Sequence, residues 1–96
     1  MTVDVRSVHF ELGDATRAYL NDKLERVQYA KDMIVDLIIL ITKEKDFKLE
    51  ATANFRWGVQ AHLEERDFEA HAGIDKLIDR LEQKIAKEKG KVQERK

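Results

Sequence analysis

Residues 34–63 read IVDLIILITKEKDFKLEATANFRWGVQAHL, and the pattern of this stretch decides the fold. Ile34 to Ile41 is almost entirely apolar and rich in β-branched residues; it is too short to cross a bilayer and reads as a central strand covered on at least one face. Lys43 to Asp46 is charged and makes a connection. From there the chain alternates: Phe47, Leu49, Ala51, Ala53, Phe55 and Trp57 point one way, and Lys48, Glu50, Thr52, Asn54 and Arg56 the other. Gly58 permits a tight turn, after which Val59, Ala61 and Leu63 continue the inward face against Gln60, His62 and Glu64 outside. Three consecutive antiparallel strands with a single polar face imply an open sheet whose other face is covered.

The flanking segments supply the cover. Val3 and Val5 alternate against Thr2, Asp4 and Arg6 as a short strand, and a change of phase to Val8, Phe10 and Leu12 predicts a bulge or a strand exit near Ser7. Gly13-Asp14 marks a turn, and residues 14–29 place Leu20, Leu24 and Val27 on one side of a helix of about four turns, with Thr16 and Tyr19 near its edges. A second helix is predicted from about Asp67–Glu69 to Lys89, with Gly90 as its stop. The fold class is therefore α+β: a β-α-β-β-β-α two-layer sandwich, a four-stranded sheet with both helices packed on one face. Residues 1–89 form a single domain and 90–96, GKVQERK, read as a flexible basic tail.

The second helix carries the functional signal. In GIDKLIDRLEQKIAKEKGK, residues 73–91, the cations Lys76, Arg80, Lys84, Lys87 and Lys91 follow spacings of four, four, three and four. At about 100° per residue they occupy roughly a quarter-turn of the helix. Ala70, Ile74, Leu77, Ile78, Leu81 and Ile85 take the buried side, and Asp75, Asp79 and Glu82 one flank, so the stripe is expected to stay un-neutralised along its length. Residues 1–75 hold 10 basic and 15 acidic side chains, a charge of −5, and residues 76–96 hold 8 and 4, a charge of +4. Such separation creates a local positive field that the net charge of −1 conceals. The attraction of helix C-termini for cations explains the last turn near Lys87, but not Lys76 or Arg80. The stripe points to a polyanion, nucleic acid, over a solvated surface. Lys23 and Arg26 flank the core side of the first helix and would extend it if the helices lie side by side.

Other chemistry is excluded or thin. There is no cysteine, hence no disulfide, thiolate metal site or cysteine nucleophile; this fits a reducing compartment, and with no membrane-length apolar run and no signal-peptide pattern the expected location is the cytoplasm. His9, His62 and His71 have no HxH or HExxH spacing, so no metal is expected. No phosphate-cradling glycine loop, dinucleotide fingerprint or nucleophile elbow occurs, and Glu64 and Glu65, adjacent on a strand, point to opposite faces. Neither an enzyme, a cofactor nor a small-molecule substrate is expected. Phe47, Phe55 and Trp57 share the parity of the core, so they are not a base-stacking platform.

These residues together resemble the ribosome hibernation-promoting factors, the family that also holds the ribosome-associated inhibitor. The resemblance covers nearly the whole chain: ELGDATRAYLNDKLERV at 11–27, the apolar second strand, the glycine-centred hairpin followed by His62, and the helix-two segment. It implies the same β-α-β-β-β-α fold and a non-catalytic protein that binds the small ribosomal subunit and its 16S rRNA between head and body. There it would block messenger RNA and the A- and P-site transfer RNA positions during stationary phase or stress. Matched by position, Lys23, Arg26, Lys76, Arg80, Lys87, Lys89 and Lys91 would meet RNA phosphates; Lys84 joins them by the geometry of the stripe. The sequence departs from the pattern where Gly13 replaces a capping threonine, where His71 replaces an aromatic, and where Glu65-Arg66-Asp67-Phe68 leads into helix two. Gln83-Lys84 also stands where many members have Arg-Gln. The chain resembles the short type, associated with a separate small ribosome-modulating partner protein. A stand-alone double-stranded RNA-binding domain shares the sheet-and-two-helices layout, and a module whose cationic helix meets an acidic protein is a third reading.

Overall fold

Alternation in the strands and 3.6-residue periodicity in the helices generate a sheet with one covered face. The computed structural model describes residues 1–94, for 92–94 the backbone alone. Its elements are β1 (Thr2–Val8), α1 (Asp14–Leu24) continued by a 3₁₀ segment (Glu25–Ala30), β2 (Ile34–Lys43), β3 (Phe47–Phe55), β4 (Gln60–Asp67) and α2 (Ala70–Glu94). The sheet order is β1-β2-β3-β4. β1 and β2 are parallel, which requires a crossover, and α1 with its 3₁₀ extension supplies it. The other two pairings are antiparallel and need only short turns, Gly58 holding φ +88° in the second.

One open alternative of the periodicity reading is settled and two details differ from it. β1 stays in register to Val8 opposite Thr42, and the chain leaves the sheet at His9, in the left-handed region at φ 66°, so the change of phase is an exit. The bulge is instead in β2: Ile34 pairs with Phe55 and Asp36 with Asn54, which leaves Val35 as an extra, exposed residue. The first helix turns 3₁₀ from Glu25 because Leu24, Val27 and Ala30, all buried, are spaced by three, and a three-residue turn keeps them in line.

Helix α2 starts at Ala70 and continues through Gly90 to Glu94, past the stop expected at Lys89. A glycine ends a helix by adopting positive φ, and among the glycines only Gly58 does so. Residues 95–96 of the expected tail lie outside the described residues.

The core lies between sheet and helices. Ile74, Leu77, Ile78, Leu81 and Ile85 of α2 and Leu20, Leu24, Val27 and Ala30 of the first helical segment cover Leu37, Ile39, Ile41, Leu49, Ala51, Ala53, Phe55 and Ala61. Ala51, Ala53 and Ala61 are small, and Gly73 lacks a Cβ where Leu49 comes closest, so α2 sits low over β3 and β4. Phe55 and Trp57 stack at 5.2 Å and pack with the core, as their parity requires. The outer face carries cross-strand rows such as Asp4, Ile38, Thr52 and His62, or Arg6, Leu40, Glu50 and Glu64. It has no aromatic residue, but Ile38 and Leu40 make it less polar than β3 and β4 alone indicate.

Candidate nucleic-acid interface

The eight cations are positioned by α1 and α2, and their settings follow from where α2 lies. It docks between α1 on one flank and the edge strand β4 on the other, so each flank meets a different set of partners. On the first flank, Lys23 lies 3.4 Å from Asp75, whose carboxylate also accepts the Tyr19 hydroxyl at 2.6 Å. Arg26 reaches Asp79 at 3.0 Å and Glu82 at 2.6 Å. The row Asp75, Asp79 and Glu82 therefore stands between Lys23, Arg26 and the α2 stripe, which the two do not extend as one continuous surface.

On the second flank the stripe is paired as well, against expectation. Lys76 binds Asp67 at 2.8 Å, and Arg80 binds Glu65 at 3.2 Å while donating to the carbonyl of Glu64 at 2.8 Å. Counting only the helix's own carboxylates misses these, because the partners come from β4. Glu65 stands opposite Leu49 and Asp67 opposite Phe47, so both occupy the inner-face parity of Ala61 and Leu63 where β4 runs out from under the core. The signal was present in the sequence: the alternation of Val59, Ala61 and Leu63 continues to Glu65 and Asp67.

Near the end of the stripe, Glu88 accepts Lys84 at 3.3 Å and Lys91 at 3.7 Å. It is closed off by the side chains around it, at 3% exposure, though it sits toward the end of α2 and not at the core centre. Lys87 and Lys89 are exposed and meet no carboxylate among the described residues. Six of the eight expected cations are thus paired, and apart from the closed-off Glu88 the partners lie at the surface. Exposed pairs are worth little, roughly 0–1 kcal/mol, so an incoming phosphate can exchange for the carboxylate.

The pairing moves the titrations in consistent directions. The side-chain hydrogen bond from Lys76 holds the Asp67 carboxyl below its ordinary value, and Asp67 raises Lys76 in turn. The Tyr19 hydroxyl lowers Asp75, and the same bond raises Tyr19. For Glu88 burial pushes upward, but Lys84 and Lys91 together outweigh it and leave the carboxyl lowered.

His71 stacks on Tyr19, centroids 4.3 Å apart and rings 4° from parallel, with Nε2 3.2 Å from Thr16 Oγ1. An aromatic contact between the helices is therefore kept at this position. On the outer sheet face, Glu50, His62 and Glu64 bring possible ligand atoms within 4.8 Å of one another. Lys48 already supplies a cation there, 3.9 Å from Glu50 and 3.7 Å from Glu64, and both His62 nitrogens are engaged, by Thr52 at 2.9 Å and Glu50 at 3.3 Å. The grouping is explained as an ion-pair cluster.

Comparison with known proteins places this geometry among relatives. The model of the family described as Sigma 54 modulation protein / S30EA ribosomal protein matches residues 3–93. A ribosome hibernation promoting factor of Pseudomonas putida is 35% identical over 95 residues, covering 97% of this chain and 91% of that protein. Another, of Azotobacter vinelandii, is 33% identical over 97 residues, covering 99% and 89%. A ribosomal subunit interface protein from Coxiella burnetii shares the fold, with a TM-score of 0.84 over 94% of this chain and 99% of that one, at 21% identity. The N-terminal domain of Protein Y from Thermus thermophilus matches with a TM-score of 0.75 and 26% identity, over 88% and 96%. No helix among the described residues is long and apolar enough to cross a membrane.

Proposed function

The chain belongs to the Sigma 54 modulation protein / S30EA ribosomal protein family, and from that membership we propose that it is a ribosome hibernation factor acting by occupation, without catalysis. It binds the small ribosomal subunit between head and body, contacts 16S rRNA through the cations of α1 and α2, and blocks the positions of messenger RNA and of A- and P-site transfer RNA. One observation supports this reading beyond membership. Lys76, Arg80, Lys87 and Lys91 line one side of a single helix and are solvent-exposed, with Lys76 and Arg80 held by carboxylates of β4, which suits phosphate and shape contacts to structured RNA.

The test is sedimentation of the purified protein with vacant ribosomes and separated subunits through a sucrose cushion. Co-migration with the small subunit, competed by messenger and transfer RNA, is expected. Combined reversal of Lys76, Arg80 and Lys84 to glutamate is expected to abolish it; retention unchanged by that reversal would overturn the mechanism. Equal affinity for simple RNA duplexes and for ribosomes would instead favour a generic duplex binder.

A further inference from the structure

We propose that Glu65 and Asp67 are specificity-determining residues of the RNA-binding face: they serve Lys76 and Arg80 as internal counter-ions, so that isolated phosphates gain nothing there and only a matching array does. The inference rests on the ribosome-binding reading above. It starts from an asymmetry in the pairs. The carboxylates are tucked in, with side-chain exposures of 19% for Asp67 and 24% for Glu65, while Lys76 and Arg80 are 54% and 48% exposed. Each cation is thus held from beneath and open from above.

Both carboxylates are also fixed in place. Asp67 accepts the Glu69 N–H at 2.9 Å with the oxygen that does not meet Lys76, and Arg80 is shared between Glu65 and the Glu64 carbonyl. Their positions on β4 point toward α2, where the same parity upstream is apolar. The helix is buried through its apolar residues and has no need of charge at this margin.

The consequence for binding is electrostatic. A free lysine or arginine attracts any phosphate, and counter-ion release from the nucleic acid makes that attraction indiscriminate. A cation already paired within the protein contributes little net charge, and a phosphate must displace its carboxylate. One loosely placed phosphate breaks even in that exchange. A folded RNA that presents several phosphates at the spacing of Lys76 and Arg80, together with contacts elsewhere, does not depend on the exchange alone. The carboxylates therefore weaken arbitrary RNA binding more than cognate binding.

The test compares wild type with the double variant Glu65→Gln, Asp67→Asn, which keeps an acceptor oxygen at each position and thus the Glu69 N–H bond. A second double variant, Glu11→Gln, Asp32→Asn, removes the same charge from exposed loops. Affinities for an arbitrary RNA duplex and for the small ribosomal subunit are measured across a series of salt concentrations, with circular dichroism confirming the fold. Each exposed pair is worth a factor of about 1.4 to 5, so duplex affinity is expected to rise roughly two- to twenty-fold in the β4 variant only. Its duplex salt slope should steepen by about one to two, while the subunit affinity rises less or falls. Duplex affinity unchanged, or raised equally by the loop variant, overturns the proposal while leaving ribosome binding intact; so does an equal gain on duplex and subunit. Absence of subunit binding by the wild type at low salt overturns the ribosome reading itself, and this inference with it.

Discussion

Gly73 and Gly90 lie in the same helix and are expected to answer alanine in opposite ways. A Cβ on Gly90 meets nothing within 4 Å, and its backbone is helical, so Gly90→Ala should stabilise the protein by about 0.5–1 kcal/mol. A Cβ on Gly73 collides with the Cδ1 of Leu49, a core side chain that is fully buried. Overpacking of about 1–3 kcal/mol should then exceed the gain in helix propensity, and Gly73→Ala should destabilise. Urea denaturation of the two variants gives the signs directly. The helical pattern around both glycines is legible in the sequence, but the difference between them is not, because it depends on Leu49, 24 positions away across the sheet–helix interface. Glu88 shows the same limit: helical spacing places it beside the apolar face, and only packing shows that it is covered and shared by two lysines.

At the scale of elements, α2 is tied to β4 and α1 through carboxylates whose titration is lowered in the folded state, Asp67 by Lys76 and Asp75 by Tyr19, and within the helix Glu88 is lowered by Lys84 and Lys91 against burial. A folded-state value below the unfolded one contributes stability that is complete above the ordinary carboxylate range and is lost as pH falls through the lowered value. The denaturation midpoint should therefore be level from neutrality to about pH 5 and fall below about pH 4. Glu88→Gln should flatten part of that fall, read as a smaller difference in urea midpoint between neutral and acid conditions. The elements themselves were largely legible: order, inner and outer residues, and the apolar face of α2 all follow from periodicity. Their details were less so: the phase change near Ser7 left a bulge and an exit both open, and the 3₁₀ turn at Glu25 and the bulge at Val35 are set by what the chain packs against.

The whole molecule measures 46 × 21 × 18 Å, an elongated body with the long α2 helix lying back over β4. Its net charge of −1 gives no general attraction to RNA, so binding depends on where charge is placed. With six of the eight cations paired internally, ribosome retention should decline with salt less steeply than eight free contacts would require at about 0.9 per contact. Retention across a series of potassium chloride concentrations gives the slope; a value near that for eight contacts would mean that the pairs dissolve completely on binding.

The sequence by itself determined the α+β class, the strand and helix order, the covered sheet face and the concentration of cations on the last helix. Each of these is encoded locally, in a period of two or 3.6 residues, and survives without knowledge of neighbours. Tertiary structure alone decided the electrostatic state of the candidate interface. Lys76 meets a carboxylate 9 positions away, Arg80 one 15 away, and Arg26 one 53 away. Such pairs depend on strand register and on how low α2 docks, which the alanines of β3 and β4 and the bare Cα of Gly73 permit. An ion pair is a property of two surfaces brought together, and a stripe read on one helix shows only half of it.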